Sequence, residues 1–349
     1  MSDQQTNRDS EQLPVESLAE YLSDRIDGAS SGITAQQFPS GHSNLTYRIS
    51  CGDGHQYVLR RAPLGPVAPK AHDMAREFRV LQAVHPHFPE APRPYLLCED
   101  ASVIGAVFFV MEHRGGIILR DQVPSVLSEL PDHAARISEA FTDCMVRLHT
   151  VPVAHVDLLA LGKPEGFLAR QAQGWTERWT RARTDVVPEM DRIAEWLLKA
   201  MPASPAPTLV HNDYKLDNMV LGGVDSVEAV LDWEMATIGD PLVDLGLTLC
   251  YWSWLNKVDT SGRTVGAITA NTGWFSREQL IARYGERTGR DLSSISYYEV
   301  LGIFKLAAIL QQIYFRFRHG QTQDPRFANF DQRVVALAKL GVAVLERRG

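Results

Sequence analysis

The spacing of apolar and polar positions changes several times along the chain, and each change predicts an element. Val15, Leu18, Leu22 and Ile26 recur at helical intervals through PVESLAEYLSDRI, which predicts a first helix. LTYRIS and QYVLR alternate as strands do, with the turn glycines of CGDGH between them, so a β-hairpin is expected. Past the Pro-rich stretch APLGPVAPKAHD, MAREFRVLQAV returns to helical spacing, with Asp73 placed to cap it. PRPYLLCED and VIGAVFFVMEH read as two further strands, and RGG at Arg114–Gly116 loosens the chain as a hinge.

Beyond that hinge the pattern is mainly helical. VPSVLSEL, HAARISEAFTDCMVRLHTV, a long stretch from Gly166 to Met201, and YYEVLGIFKLAAILQQIYFRFRHG all carry it. NMVL and VEAVLDW interrupt the helices and flank GGVDS as a second hairpin. The pattern predicts an α+β chain with two lobes. Residues 1–13 form a mobile tail, 14–113 a small β-rich lobe, and 114–349 a larger, mainly helical lobe.

Composition narrows the partners. A net charge of −7 supplies no basic stripe for nucleic acid, so none is expected as a partner. ASVIGAVFFVM at 101–111 is too short to span a bilayer, and the polar N-terminus lacks the apolar segment of a signal peptide. Cys51, Cys98, Cys144 and Cys250 are far apart and form no CxxC pair, which fits a reducing cytoplasm better than a zinc site or a disulfide framework. Composition leaves oligomeric state open.

Candidate chemistry concentrates in HNDYKLDNMV and VLDWEMATIGDPLVDLG, which together carry Asp213, Asn218, Asp232, Asp240 and Asp244. Carboxylates avoid the interior unless something pairs with them. Asp213 and Asn218 precede the strand NMVL, and Asp232 ends its hairpin partner; antiparallel pairing would bring the start of one next to the end of the other. One amide oxygen and one carboxylate suit Mg²⁺ held mainly by phosphate oxygens. Asp213 is placed to accept a proton from a substrate hydroxyl. Singly, each residue has an ordinary explanation: an Asp before a strand is commonly a turn or cap residue, and GDP is a turn signal. In the small lobe, Glu77 shares the helix face of Met74 and Leu81 and needs a cation there, for which Arg60 is the natural partner.

H-x-D-x-x-x-x-N followed by an Asp after a hairpin resembles the catalytic core of kinases. The form HND…N then LDWE…GDPLVDL is similar to the aminoglycoside phosphotransferase and choline kinase group. VLRRAPLGP and FLARQAQGWTERW look most like the kinase-like proteins associated with acyl-CoA dehydrogenases. The resemblance runs over roughly residues 30 to 320 and implies a protein kinase-like fold. It implies Asp213 as catalytic base, Lys215 near the transferring phosphate, Asn218 and Asp232 as Mg²⁺ ligands, and His211 and Asp244 as braces of the loop. Arg60 stands where the family usually has a lysine that pairs with the helix glutamate and the ATP phosphates. Arginine and lysine are not interchangeable there. SGHSNLTY has one glycine, and the resemblance makes Ser40, Ser43 and Asn44 its phosphate-covering residues. Met111 and Glu112 would offer backbone to adenine.

The expected activity is ATP- and Mg²⁺-dependent transfer of the γ-phosphoryl group to an alcohol hydroxyl. Trp175, Trp179, Trp252 and Arg316 are candidates for an acceptor pocket, against the alternative that the tryptophans are ordinary core. Aromatics and arginines suit an apolar or anionic acceptor, such as a hydroxyacyl-CoA. Two alternatives stand beside it: a nucleotide-binding pseudokinase, with Arg60 its main support, and an aminoglycoside phosphotransferase proper.

Overall fold

A computed structural model of the chain describes residues 12–38, 44–62, 73–254 and 268–347. The expected tail at 1–13, the Pro-rich connection, and Ser40 and Ser43 of the expected phosphate-covering loop lie wholly or largely outside the described residues. The chain forms two compact units, Met1–Gly115 with Glu228–Met235, and Gly116–Val227 with Ala236–Gly349.

In the first unit, α1 (Val15–Leu22) precedes β1 (Ile33–Gln37), β2 (Leu45–Cys51), β3 (Gln56–Arg61), α2 (Met74–Val84), β4 (Pro94–Cys98) and β5 (Phe108–Glu112). The strands make an antiparallel sheet in the order β1-β2-β3-β5-β4. The expected hairpin is β2–β3, with Tyr47 opposite Leu59. Alternate residues of these strands, Tyr47, Ile49, Tyr57 and Leu59, join Leu18, Leu22 and Ile26 in one core. Arg60, of opposite parity to Leu59, turns to the other face, where Glu77 of α2 waits. Asp73 caps α2 by accepting the Arg76 amide at 2.8 Å. The strand expected from Val103 starts only at Phe108. Residues before it form a turn, with Gly105 in the left-handed region (φ 82°) bonding back to Ala101.

Glu228–Met235 belongs to this unit although the hydropathy pattern puts it after the hinge. The Val230 amide donates to the Glu90 carbonyl at 2.8 Å, and Trp233 packs edge-on against Phe88 at 5.8 Å between centroids. Tertiary contacts of this kind leave no trace in spacing.

The second unit holds α3 (Ser125–Ser128), α4 (His133–Thr150), α5 (Val156–Leu159), α6 (Phe167–Ala182) and α7 (Pro188–Lys199). The mainly helical stretch expected from Gly166 to Met201 forms the last two, parted because Arg183 is extended and Pro188 opens the next helix. Then come β6 (Thr208–Val210), β7 (Met219–Leu221) and, after β8 (Val227–Val230), which belongs to the first unit from Glu228 onward, β9 (Thr237–Gly239) and α8 (Pro241–Leu249). β6 and β9 pair antiparallel over three residues each, too few to show as alternation. α9 (Arg277–Thr288), α10 (Ile295–Arg318) and α11 (Phe330–Glu346) complete the unit. By length and composition, α10 is the one helix among the described residues that could cross a membrane, but 61% of its apolar window is buried inside the unit. It packs against α6, α8 and α11.

α8 and α10 meet backbone to backbone. A Cβ on Gly246 would lie 2.4 Å from the Tyr298 carbonyl, and one on Gly302 would lie 3.1 Å from the Gly246 oxygen. Glycine at both positions is what lets the helices touch. This crossing lies beneath the loop that carries Asp213.

Candidate active site

Each unit carries one group of the expected residues. In the first, the Arg60 guanidinium is buried and donates from Nη1 to Glu77 Oε1 at 2.5 Å and from Nη2 to Asp232 Oδ1 at 3.1 Å. Asp232 has a left-handed backbone (φ 69°), uncommon for a residue other than glycine. Asn44 donates to Glu234 Oε2 at 3.2 Å. Three carboxylates, Glu77, Asp232 and Glu234, thus surround one guanidinium. Burial pushes Glu77 up to about 7; Arg60 pulls against this, while Asp232 and Glu234 add to it. Burial lowers the basicity of Arg60, but Glu77 and Asp232 outweigh it and hold the group above its ordinary value. Glu77 Oε2 is buried without a hydrogen bond. Met111 lies within β5 opposite Val58, and Glu112 opposite Tyr57; the Glu112 carboxylate pairs with Arg114 at 2.9 Å.

In the second unit the HND loop is built around a buried aspartate. Asp244, fully enclosed, accepts the backbone N–H of His211 and of Asn212, each at 2.6 Å, and lies 3.2 Å from His149 Nε2. The other nitrogen of that imidazole meets the Tyr284 hydroxyl at 2.8 Å. Burial pushes the Asp244 carboxyl up, but its bonds to His149 and the interactions with His149 and His211 hold it below the ordinary carboxylate value. His211 Nδ1 in turn accepts the Asp213 amide at 3.3 Å. Asn212 is left-handed (φ 65°), and its carbonyl accepts from Lys305 of α10 at 2.7 Å.

Asp213 emerges from this frame half-buried. Its carboxylate accepts from Asn218 Nδ2 at 3.1 Å and from the Tyr251 hydroxyl at 3.2 Å, and pairs with Lys215 at 3.2 Å. Lys215 lies 5.3 Å from the Tyr251 ring centroid and 3.9 Å from Asp217. Burial opposes its charge, but Asp213, Tyr251 and Asp217 together raise it above the ordinary lysine value. Burial likewise pushes Asp217 up, and one of its oxygens is buried without a partner. Asp240, by contrast, is a helix cap: it accepts the Leu242 amide at 3.0 Å and the Tyr298 hydroxyl at 2.8 Å.

The acceptor candidates separate. Trp179 is enclosed, and Trp252 is built into a cluster with Phe141 and Trp274 while donating to the Phe275 carbonyl. Arg316 is exposed on α10. Trp175 keeps charged company: Arg178 lies 4.6 Å and Lys305 5.5 Å from its ring centroid. Burial lowers the basicity of Lys305, while Asp213 and Asp244 raise it.

The residues present fit a magnesium ion in their chemistry. No cluster of three His, Cys, Asp or Glu side chains among the described residues would hold a metal alone. A kinase-type ion needs only an amide oxygen and a carboxylate, with phosphate oxygens completing the shell. Asn218 turns its amide nitrogen to Asp213, which leaves its oxygen directed away. Around Asp232, three carboxylates share one guanidinium, an excess of negative charge that suits a divalent cation.

His149, Tyr284, Glu234 and Lys305 are not among the residues expected from sequence, and Tyr251 is expected only as part of an aromatic cluster with Trp252, not as a partner of Asp213. Lys305, isolated in GIFKLAAIL, carried a signal: a lone lysine inside an apolar helix needs a reason.

A family model described as the phosphotransferase enzyme family matches residues 34–284. Acyl-CoA dehydrogenase family member 11 of Mus musculus is 36% identical over 343 residues, covering 95% of this chain and 43% of that protein. The chain therefore spans less than half the length of that relative. A Ralstonia eutropha structure assigned as an aminoglycoside phosphotransferase is similar with a TM-score of 0.81 at 28% identity, covering 96% of this chain and 99% of that one. Choline kinase from Cryptosporidium parvum Iowa II shares the fold at a TM-score of 0.60 and 16% identity, covering 95% and 98%. The α+β architecture is thus the two-lobed, protein kinase-like fold, and with the family match spanning the sheet, the HND loop and α8, the chain belongs to the phosphotransferase enzyme family.

Proposed function

We propose that this protein is an ATP-dependent phosphotransferase that moves the γ-phosphoryl group to the hydroxyl of a small molecule. The observation that carries the reading is the state of Asp213. Its backbone is fixed by buried charges while its carboxylate stays half-buried among an amide, a phenol and an ammonium. A structural aspartate in that loop would not need an exposed edge; a base would.

In the proposed reaction, a bond forms between the acceptor oxygen and Pγ as the bond from Pγ to the β,γ-bridging oxygen breaks. The hydroxyl proton passes to Asp213. Lys215 and Arg60 offer positive charge to phosphate oxygens, and we assign the backbone at Asn44 and Met111 to the nucleotide, together with Ser40 and Ser43; the Glu112 amide, expected beside them, already donates to the Arg93 carbonyl at 2.8 Å. Mg²⁺, held by Asn218 and Asp232, would supply charge neutralisation on the phosphates. His211 and Asp244 keep the loop in place.

The acceptor we propose is an apolar or anionic alcohol, of which a hydroxyacyl-CoA is one example. Arg178 beside Trp175 supports it, because a polycationic aminoglycoside calls for carboxylates instead. Four buried cysteines without disulfides agree with a cytoplasmic setting. No nucleic-acid or membrane partner enters the reading. One observation favours nucleotide binding without transfer: Arg60 already holds Asp232, a metal ligand in the proposed reaction.

The test is γ-phosphoryl transfer from Mg·ATP to hydroxyacyl-CoAs, choline-type alcohols and aminoglycosides, beside Asp213→Asn. Transfer to the first class, reduced about 10³-fold in the variant, is expected. Equal turnover by the variant contradicts the base, transfer to aminoglycosides contradicts the acceptor class, and Mg·ATP binding without transfer to any favours the pseudokinase.

A further inference from the structure

Two charged side chains are buried along α10, and they are satisfied differently. Glu299 pairs with Arg277. Lys305, 6% exposed, has no carboxylate within ion-pair distance among the described residues; its ammonium donates to the Asn212 carbonyl at 2.7 Å and is covered by the Trp175 ring. Taking an ammonium out of water costs several kcal/mol, and a lone carbonyl is a poor return for stability alone.

The carbonyl it holds is at a decisive position. Asn212 sits in the left-handed region, a conformation costing about 1 kcal/mol that asparagine tolerates better than most residues. Its own N–H and that of His211 go to the Asp244 carboxylate. The peptides on both sides of Asn212 are therefore gripped by opposite charges, an anion on the N–H side and a cation on the C=O side. Hydrogen bonds to charged groups are the strong ones.

Both grips come from one helix crossing. Asp244 lies two residues before Gly246, and Lys305 lies three residues after Gly302, on the face that touches α8. Rotation of the Asn212–Asp213 peptide would swing the Asp213 side chain directly. We infer that Lys305 is a positioning residue: by fixing the Asn212 carbonyl it sets the direction in which Asp213 presents its carboxylate. It touches neither acceptor nor nucleotide in this role. The kinetic part of its test rests on the phosphotransferase reading, whereas the exchange part does not.

Lys305→Met keeps the volume and removes donor and charge, while Lys305→Gln keeps a donor. Slow hydrolysis of Mg·ATP, with water as acceptor, gives the kinetic readout. We expect Lys305→Met to lower kcat about 100-fold with the KM for ATP unchanged within about twofold, and Lys305→Gln to regain most of the loss. Amide exchange over 211–214 should accelerate about tenfold in Lys305→Met, with α8 amides unchanged. Equal kcat with unchanged exchange overturns the inference, and so does a uniform rise in exchange throughout the unit, which marks a merely structural lysine. If the wild type neither binds nor hydrolyses Mg·ATP, the phosphotransferase reading fails, and the exchange pattern still decides the role of Lys305.

Discussion

The Arg60 group and the HND loop both organise expected catalytic residues around buried charge, by opposite strategies. In the first, side chain holds side chain: one guanidinium serves Glu77 and Asp232, and negative charge is left in excess. In the second, side chains hold backbone: Asp244 takes two amides and Lys305 a carbonyl, so the main chain itself is fixed. A side-chain cluster rearranges when a ligand adds or removes charge. A gripped backbone does not. The difference matches the tasks proposed for them, a clamp that must admit phosphates and metal, and a base that must not move.

The comparison breaks most visibly at Asp244. Asp244→Ala leaves two buried amides and the His149 nitrogen without their acceptor, and a loss of about 3–5 kcal/mol in urea unfolding is expected. A loss below about 1 kcal/mol would mean that the loop is held by something else.

Protonation separates the groups with a smaller effect. Glu77 is raised to about 7 in the folded chain from an ordinary 4.5. A raised folded value means that its contribution is fully present below about pH 4.5 and is lost as pH rises towards 7. Asp244 is depressed, so its contribution is present above its ordinary 3.8 and lost only on acidification below that value. Glu77→Gln should therefore gain stability relative to the wild type as pH rises from 4.5 to 7, in paired denaturation curves. A flat difference between the two proteins would show that Glu77 stays ionised throughout that range.

Much of this was legible in the sequence for a physical reason: elements with long periodicity declare themselves. α1, α2, α4 and the β2–β3 hairpin follow from spacing, and the HND and GDP segments follow from carboxylates that need partners. What stayed hidden depends on contacts distant in sequence. β6 and β9 are three residues long, so their pairing has no periodic signature. Glu228–Met235 joins the first unit through Trp233 and Val230, residues whose apolarity suits either unit. Trp252 suits core better than pocket in sequence, and its ring neighbours identify it as core. Lys305 is visible as an anomaly in GIFKLAAIL, but the carbonyl that explains it lies 93 positions away.

We propose that the excess negative charge around Asp232 serves a metal-bound nucleotide. Calorimetric titration with ATP, in the presence and absence of Mg²⁺, tests it for the wild type and Asp232→Ala. Mg²⁺-dependent binding to the wild type and its loss in the variant are expected. Tight Mg·ATP binding that survives in Asp232→Ala would contradict a metal role for Asp232, and a wild type indifferent to Mg²⁺ would contradict metal-dependent nucleotide binding altogether.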